Sequence, residues 1–329
     1  MALSAAAQTV EFVADPSPTP SCHASTIVEL DNGDLLAAWF GGTREGAPDV
    51  AIWGARRTAS GWSEPAVLVR EPQIAAYNPV LFHSGAGLLW LYYKFGPSPS
   101  QWSAGRLSSR DSGRTWSAPE HLPAGLYGPI RAKPLVLADG TILSGSSVES
   151  YGSWACWIER STDHGRTWSR IGPIAAPPSL ASSATPAGAP YGIIQPSLIH
   201  MEGAHIRLYA RSTQAIGRIC QSDSLDGGLT WSAVTATSLP NPNSGIDAVR
   251  LRDGRIVVAY NRSTTGRTPL NLAVSRDGAA WGDFHELETA PGEYSYPAMI
   301  EARNGDLLLT YTWNRRKIRF VRFPLAKIP

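Results

Sequence analysis

Short apolar runs rich in β-branched and aromatic residues recur along the whole chain, and six of the junctions between them carry a turn glycine. These sites are Asp31-Asn32-Gly33-Asp34, Ser84-Gly85, Asp139-Gly140, Glu202-Gly203, Asp253-Gly254 and Asn304-Gly305. Two such runs on either side of a glycine turn read as a hairpin. The glycines lie 52, 55, 63, 51 and 51 residues apart, so one hairpin-bearing unit is repeated.

A second periodic signal accompanies the first. Ser109-x-Asp111-x-Gly113-x-Thr115-Trp116 recurs from Ser161 to Trp168 and from Ser224 to Trp231, and a version one residue shorter runs from Ser275 to Trp281. An eroded copy ends at Gly61-Trp62, and the tryptophans are spaced 54, 52, 63 and 50 residues apart. Ser and Asp side chains fold back onto nearby N–H groups to hold a tight turn, Gly supplies the positive φ, and Trp buries its ring between neighbouring units. In the third unit the predicted strands are Lys133 to Leu137, Ile142 to Val148, Ala155 to Arg160 and Ile171 to Ile174. Four antiparallel strands repeated six times predict an all-β, six-bladed β-propeller. The sixth unit is one strand short, and the alternating run Thr9 to Val13, within residues 8–14, is expected to fill that place and close the ring, removing an exposed edge.

Length alone suggests two domains for 329 residues, but the repeat predicts one propeller domain over 1–329. The Pro-, Ala- and Ser-rich stretch from Ala175 to Ala189 is expected to be a surface loop, with a flap over the mouth as the alternative. A net charge of +2 offers no field for nucleic acid or an acidic membrane. The start of the chain lacks a signal-peptide pattern and no segment is apolar for long enough to span a bilayer, so a cytoplasmic protein is expected. Three widely spaced cysteines exclude a full disulfide framework. Cys156 and Cys220 read as buried small hydrophobes, and only Cys22 falls near candidate chemistry.

In a propeller the first strand of each blade begins, and the second ends, on one face beside the central axis. The first set is Cys22 and His23, Asn78, Lys133, Gln195, Asp247, and Tyr294 with Tyr296; the second is Arg44 with Glu45, Lys94, Glu149, Arg211, Asn261 with Arg262, and Trp313. Two of the chain's four lysines are among them. Convergence of cations, carboxylates, a histidine and tyrosines on one cavity is the expected site. Polar lining of a water-filled channel is the bland alternative.

The boxed turns and blade count resemble the sialidase superfamily, whose repeated turns are known as Asp boxes or BNR repeats. Arg267-Thr268-Pro269-Leu270 followed by Gly292-Glu293-Tyr294-Ser295 resembles the stretch bearing the third substrate arginine and the tyrosine nucleophile, and Leu208-Tyr209-Ala210-Arg211 resembles the strand ending in the second arginine. The resemblance implies an exo-glycosidase for a terminal acidic sugar, sialic acid or a related ulosonic acid. Arg211 and Arg267 would grip the carboxylate, helped by Arg44 or Lys133, with Asn78, Lys94 and Tyr296 lining the cavity. Two departures stand out. Ser21-Cys22-His23-Ala24 replaces the Phe/Tyr-Arg-Ile-Pro motif, removing the first arginine, and Gln195 occupies the position of the catalytic Glu.

Because Gln cannot accept a proton, Asp247 is expected to activate Tyr294, and Glu45, or Asp49 in the same loop, to act as acid. No cofactor or metal is required by this scheme. A second reading is a lyase acting on uronic-acid glycans, in which His23 or a tyrosine removes the C5 proton. A third is a glycan-binding propeller without catalysis.

Overall fold

The structure is a computed structural model that describes residues 8–85, 87–182 and 188–329. Residues 183–187 of the expected surface loop, and the first seven residues read for a signal peptide, lie outside the described residues.

Almost every described element is a β-strand; the helical pieces are three single 3₁₀ turns. The strands form antiparallel meanders in chain order. Those beginning at Ala76–His83 and Asp247–Arg250 are separate four-stranded sheets. The meander from Ser21–Glu29 forms a five-stranded sheet. The meanders starting at Leu135–Val136 and Tyr191–His200 join into an eight-stranded sheet through a parallel pairing of Ser153 and Trp154 with Tyr191 and Gly192. The sheet beginning at Tyr294–Glu301 is completed by the N-terminal strand Thr9–Phe12, which pairs antiparallel with Lys317–Phe323. In the third unit the observed strands are Leu135–Val136, Ile142–Glu149, Ser153–Ser161 and Ser169–Ile174.

Apolar side chains pack between consecutive sheets. One cluster joins Leu36 and Phe40 to Leu81 and Leu91, another joins Ile158 to Leu208, and a third joins Leu272 to Leu309. The cluster of Trp39, Ala55, Leu308 and Phe320 joins the first sheet to the last. No helix among the described residues is long and apolar enough to cross a membrane.

The boxed turns show why their sequence repeats. Asp111 accepts from the N–H of Arg114 and Thr115 at 3.0 and 2.9 Å and from Thr115 Oγ1 at 2.6 Å, while Ser109 Oγ accepts from Gly113 N at 2.8 Å. These donors favour the ionised carboxyl and hold it far below its ordinary range. Asp163 and Asp226 repeat the geometry, and in the shortened copy Asp277 takes the N–H of Ala279 and Ala280 instead. The tryptophan that follows packs on the preceding unit: Trp168 meets Tyr92 at 6.2 Å and Trp281 meets Tyr209 at 5.6 Å.

Candidate functional site

Each inner strand turns into its neighbour through the same hairpin, with last pairs Glu29 and Leu35, His83 and Leu89, Val136 and Ile142, His200 and Ile206, Arg250 and Ile256, and Glu301 and Leu307. Five residues before these pairs stand Ala24, Asn78, Arg131, Gln195, Gly245 and Tyr296. Four of them hold positive φ: Ala24 50°, Asn78 40°, Gln195 55° and Tyr296 54°. The pairing register shifts at the same four places, the mark of a bulge. Left-handed non-glycine backbone costs roughly 1–3 kcal/mol and clusters where side chains are aimed for function. A Cβ built on Gly245 would stand 3.4 Å from Arg131 Cδ, Gln195 Oε1 and Tyr296 Cγ alike, so residues from four meanders meet at one point.

Tyr296 is the centre of this layer. Its hydroxyl accepts a 2.7 Å hydrogen bond from Arg211 and a longer one from Gln195 at 3.4 Å. Arg131, Arg211 and Arg267 stand 5.7, 5.8 and 5.5 Å from the ring centroid. Burial alone would raise the phenol, but the charges of Arg211 and Arg267 and the Gln195 contact outweigh it and the net shift is downward.

His23 lies against Tyr296 with ring centroids 4.2 Å apart. Its Nδ1 is 2.9 Å from Thr312 Oγ1, and among the described residues its buried Nε2 has no partner. Burial, then Arg315, Arg267, Arg211 and Arg131, push the imidazole well below its ordinary pKa, so it is neutral. Arg131 is 2% exposed and donates to the carbonyls of Pro297 and Ile246.

The rim is ionic. Glu293 accepts from Arg267 at 2.7 Å and from Arg315 at 3.0 Å, and Arg315 also pairs with Glu45. Although burial opposes it, these arginines hold Glu293 below the usual carboxylate range. Arg211 is fixed from its other side by Asn243 at 2.7 Å. Arg44 is exposed in the loop before Glu45.

Several expected residues stand elsewhere. Tyr294 is 2% exposed and packs among Val249, Met299 and Tyr311 in the apolar layer between the last two sheets. The bulge at Tyr296 breaks the strand's two-residue alternation, so the two tyrosines do not share a face. Asp247 does not serve Tyr294. It accepts from Ser197 Oγ at 2.7 Å, Met299 N at 2.7 Å and Lys133 Nζ at 3.0 Å, tying the inner strands together two residues further along than the Tyr296 layer. Lys133 is thereby committed to Asp247 rather than to the mouth.

Lys94 is wholly buried and donates to Pro129 O at 2.5 Å; burial brings it down to about 7 against the pull of Glu159. Asn78 donates to Ile130 O at 3.2 Å. Both brace the sheets instead of lining the cavity. Cys22 is buried, and burial lifts its thiol to about 12, which makes it inert.

The sequence reading missed Arg131 and Arg315. Arg131 was legible in part, because it stands nine residues before its turn glycine, as Ala24, Gly245 and Tyr296 do, whereas Lys133 stands seven before. Arg315 lies in a tight turn whose left-handed backbone, φ 53°, no spacing announces. A groove of about 340 Å³ on the turn side, lined by residues such as Asp34, Arg57 and Arg322, carries charges already neutralised by Arg56, Glu11 and Asp306 and supports no chemistry. Among the described residues no three His, Cys, Asp or Glu side chains are placed to hold a metal.

Residues 33–309 match the BNR repeat-like domain, and the chain belongs to that sialidase-like family. No curated protein matches the chain significantly. Among solved structures it is similar to a protein of unknown function from Dyadobacter fermentans, with a TM-score of 0.79, 16% identity, and 96% of this chain and 97% of that one covered. It is also similar to the NanB sialidase from Streptococcus pneumoniae, with a TM-score of 0.73, 13% identity, and 94% and 69% covered. The intramolecular trans-sialidase from Ruminococcus gnavus gives a TM-score of 0.71 at 14% identity, with 98% of both chains covered. At these identities the likeness is one of fold.

Proposed function

We propose that the chain is a single, closed six-bladed propeller whose mouth binds a terminal sugar carboxylate and hydrolyses its glycosidic bond, with Tyr296 as nucleophile. The observation that carries this reading is the 2.7 Å hydrogen bond from Arg211 to the Tyr296 hydroxyl inside a cluster of four guanidinium groups. The cluster answers both departures from the family pattern. Arg315 takes over the work of the missing first arginine, joining Arg211 and Arg267 on the carboxylate, at about 1.5–3 kcal/mol for each charged hydrogen bond. Where Gln195 cannot take the proton of the phenol, Arg211 and Arg267 favour its ionised form.

The phenolate oxygen attacks the anomeric carbon as the bond to the leaving oxygen breaks. Water then releases the sugar from the tyrosine with net retention. Gln195, Asn243 and Glu293 hold the arginines in place before substrate arrives, so little ordering remains to be done on binding.

One observation favours a second reading. Neutral His23, with its free Nε2 beside Tyr296, is suited to taking the C5 proton of a uronate whose carboxylate the arginines neutralise, giving β-elimination. Incubation with sialosides, glycosides of other ulosonic acids and uronate oligosaccharides separates the two. Hydrolysis predicts release of the free acidic sugar, whereas an ultraviolet-absorbing unsaturated uronate transfers the assignment to a lyase. Saturable binding with no product contradicts both.

A further inference from the structure

Hydrolysis requires a proton for the leaving oxygen, and the two carboxyl groups nominated by sequence are engaged elsewhere. Glu45 is ion-paired with Arg315. Asp49 accepts from Thr43 N at 2.9 Å and Thr43 Oγ1 at 2.6 Å, bonds that favour its ionised form and lower its pKa. Glu293 is the arginine clamp described above. A general acid must be protonated at working pH and free to give its proton away.

We propose that Glu149 is the general acid, an assignment that rests on the hydrolase reading. Glu149 ends the strand Ile142–Glu149 and pairs with Trp154, whose ring lies 6.0 Å from the Arg211 guanidinium. Ser147 of the same strand accepts from Gln195 N at 3.2 Å, which sets the strand end against the Tyr296 layer. Among the described residues the Glu149 carboxyl has no hydrogen bond or ion pair, unlike every other carboxyl at the mouth named here. The charged and titratable groups facing it are Arg211, Glu45 and Tyr296.

Glu149 and Tyr296 come from the third and the last meander, and the Glu149 charge acts on the Tyr296 phenol. Arg211 joins the two, standing 5.8 Å from the Tyr296 ring and 6.0 Å from the ring of Trp154, the pairing partner of Glu149. A sugar seated between them would have nucleophile and acid on either side of the scissile bond, as a retaining mechanism requires. Burial raises the Glu149 pKa, Arg211 opposes the rise and Glu45 adds to it, for a net upward shift, the direction a general acid needs.

In the first step the Glu149 O–H proton passes to the glycosidic oxygen while the C–O bond breaks and the Tyr296–carbon bond forms. In the second, carboxylate Glu149 takes a proton from the attacking water, restoring the acid as Tyr296 leaves as phenolate.

The test compares Glu149→Gln with wild type on two glycosides of the same acidic sugar, one with an aryl leaving group that departs without help and one with a lactosyl group that does not. The expected result is a fall of about 100-fold or more in kcat/KM for the lactosyl substrate against less than about tenfold for the aryl one. The variant should also lose the basic limb of the pH profile and keep the wild-type melting temperature. Equal losses on both substrates, or a retained basic limb, overturn the role of Glu149 alone. A wild-type protein that cleaves neither substrate overturns the hydrolase reading along with it.

Discussion

At the scale of single residues, the site is governed by cations acting on two rings. Tyr296 and His23 stand 4.2 Å apart inside one group of arginines, and the same charges have opposite consequences for them. They favour the phenolate of Tyr296 and disfavour the imidazolium of His23. The linkage for His23 has a definite sign. Unfolded, the imidazole takes a proton below about pH 6.5, whereas the folded one refuses it until the pH is well lower. Stability contributed by the neutral ring is therefore present above that pH and lost as the pH falls beneath it. Thermal melts of wild type and His23→Gln between about pH 7.5 and 5 check this: the wild type should lose more melting temperature on acidification than the variant. Parallel curves would show that His23 is not held neutral.

At the scale of elements, the bulge on the inner strand aims the side chains of the candidate site. It gives Tyr296 and Gln195 left-handed backbone, swings them off the alternating pattern and sets Tyr294 into the apolar layer. Sequence reading found the strands because hairpin glycines and boxed turns are local signals, set by a few residues of backbone. It chose Tyr294 over Tyr296 as the reacting tyrosine, because which of the two is aimed rests on an extra residue in the pairing register, which is fixed by contacts across strands. Gly245 is the position in this layer that must stay small. A Cβ there would just touch Arg131, Gln195 and Tyr296, so the two further methyls of Gly245→Val should displace them and lower kcat/KM by about 100-fold. Circular dichroism should keep the wild-type β-sheet signature, which separates a local displacement from unfolding. A variant with full activity would place the reacting groups elsewhere.

At the scale of the molecule, distant pieces of sequence become neighbours only through the repeat. The first sheet shares an apolar cluster with the last, and the N-terminal strand pairs with the C-terminal one. Periodicity made this arrangement legible, while the family resemblance named Arg211 and Arg267 but grouped them with Tyr294 instead of Tyr296. The partner of Asp247 was not legible: Lys133 lies 114 residues away, and their contact joins the third meander to the fifth. Arg315 was hidden for a similar reason, being brought to His23 by the seam between last and first sheets.

The central claim is that Tyr296 bonds to the sugar, and a fluorinated acidic-sugar donor that forms the glycosyl-enzyme but releases it slowly tests this most directly. Intact-mass measurement followed by peptide mapping should show one added sugar, located on Tyr296 and absent from Tyr296→Phe. A sugar mapped to Tyr294, or turnover of the parent substrate with no adduct at any tyrosine, would contradict the account.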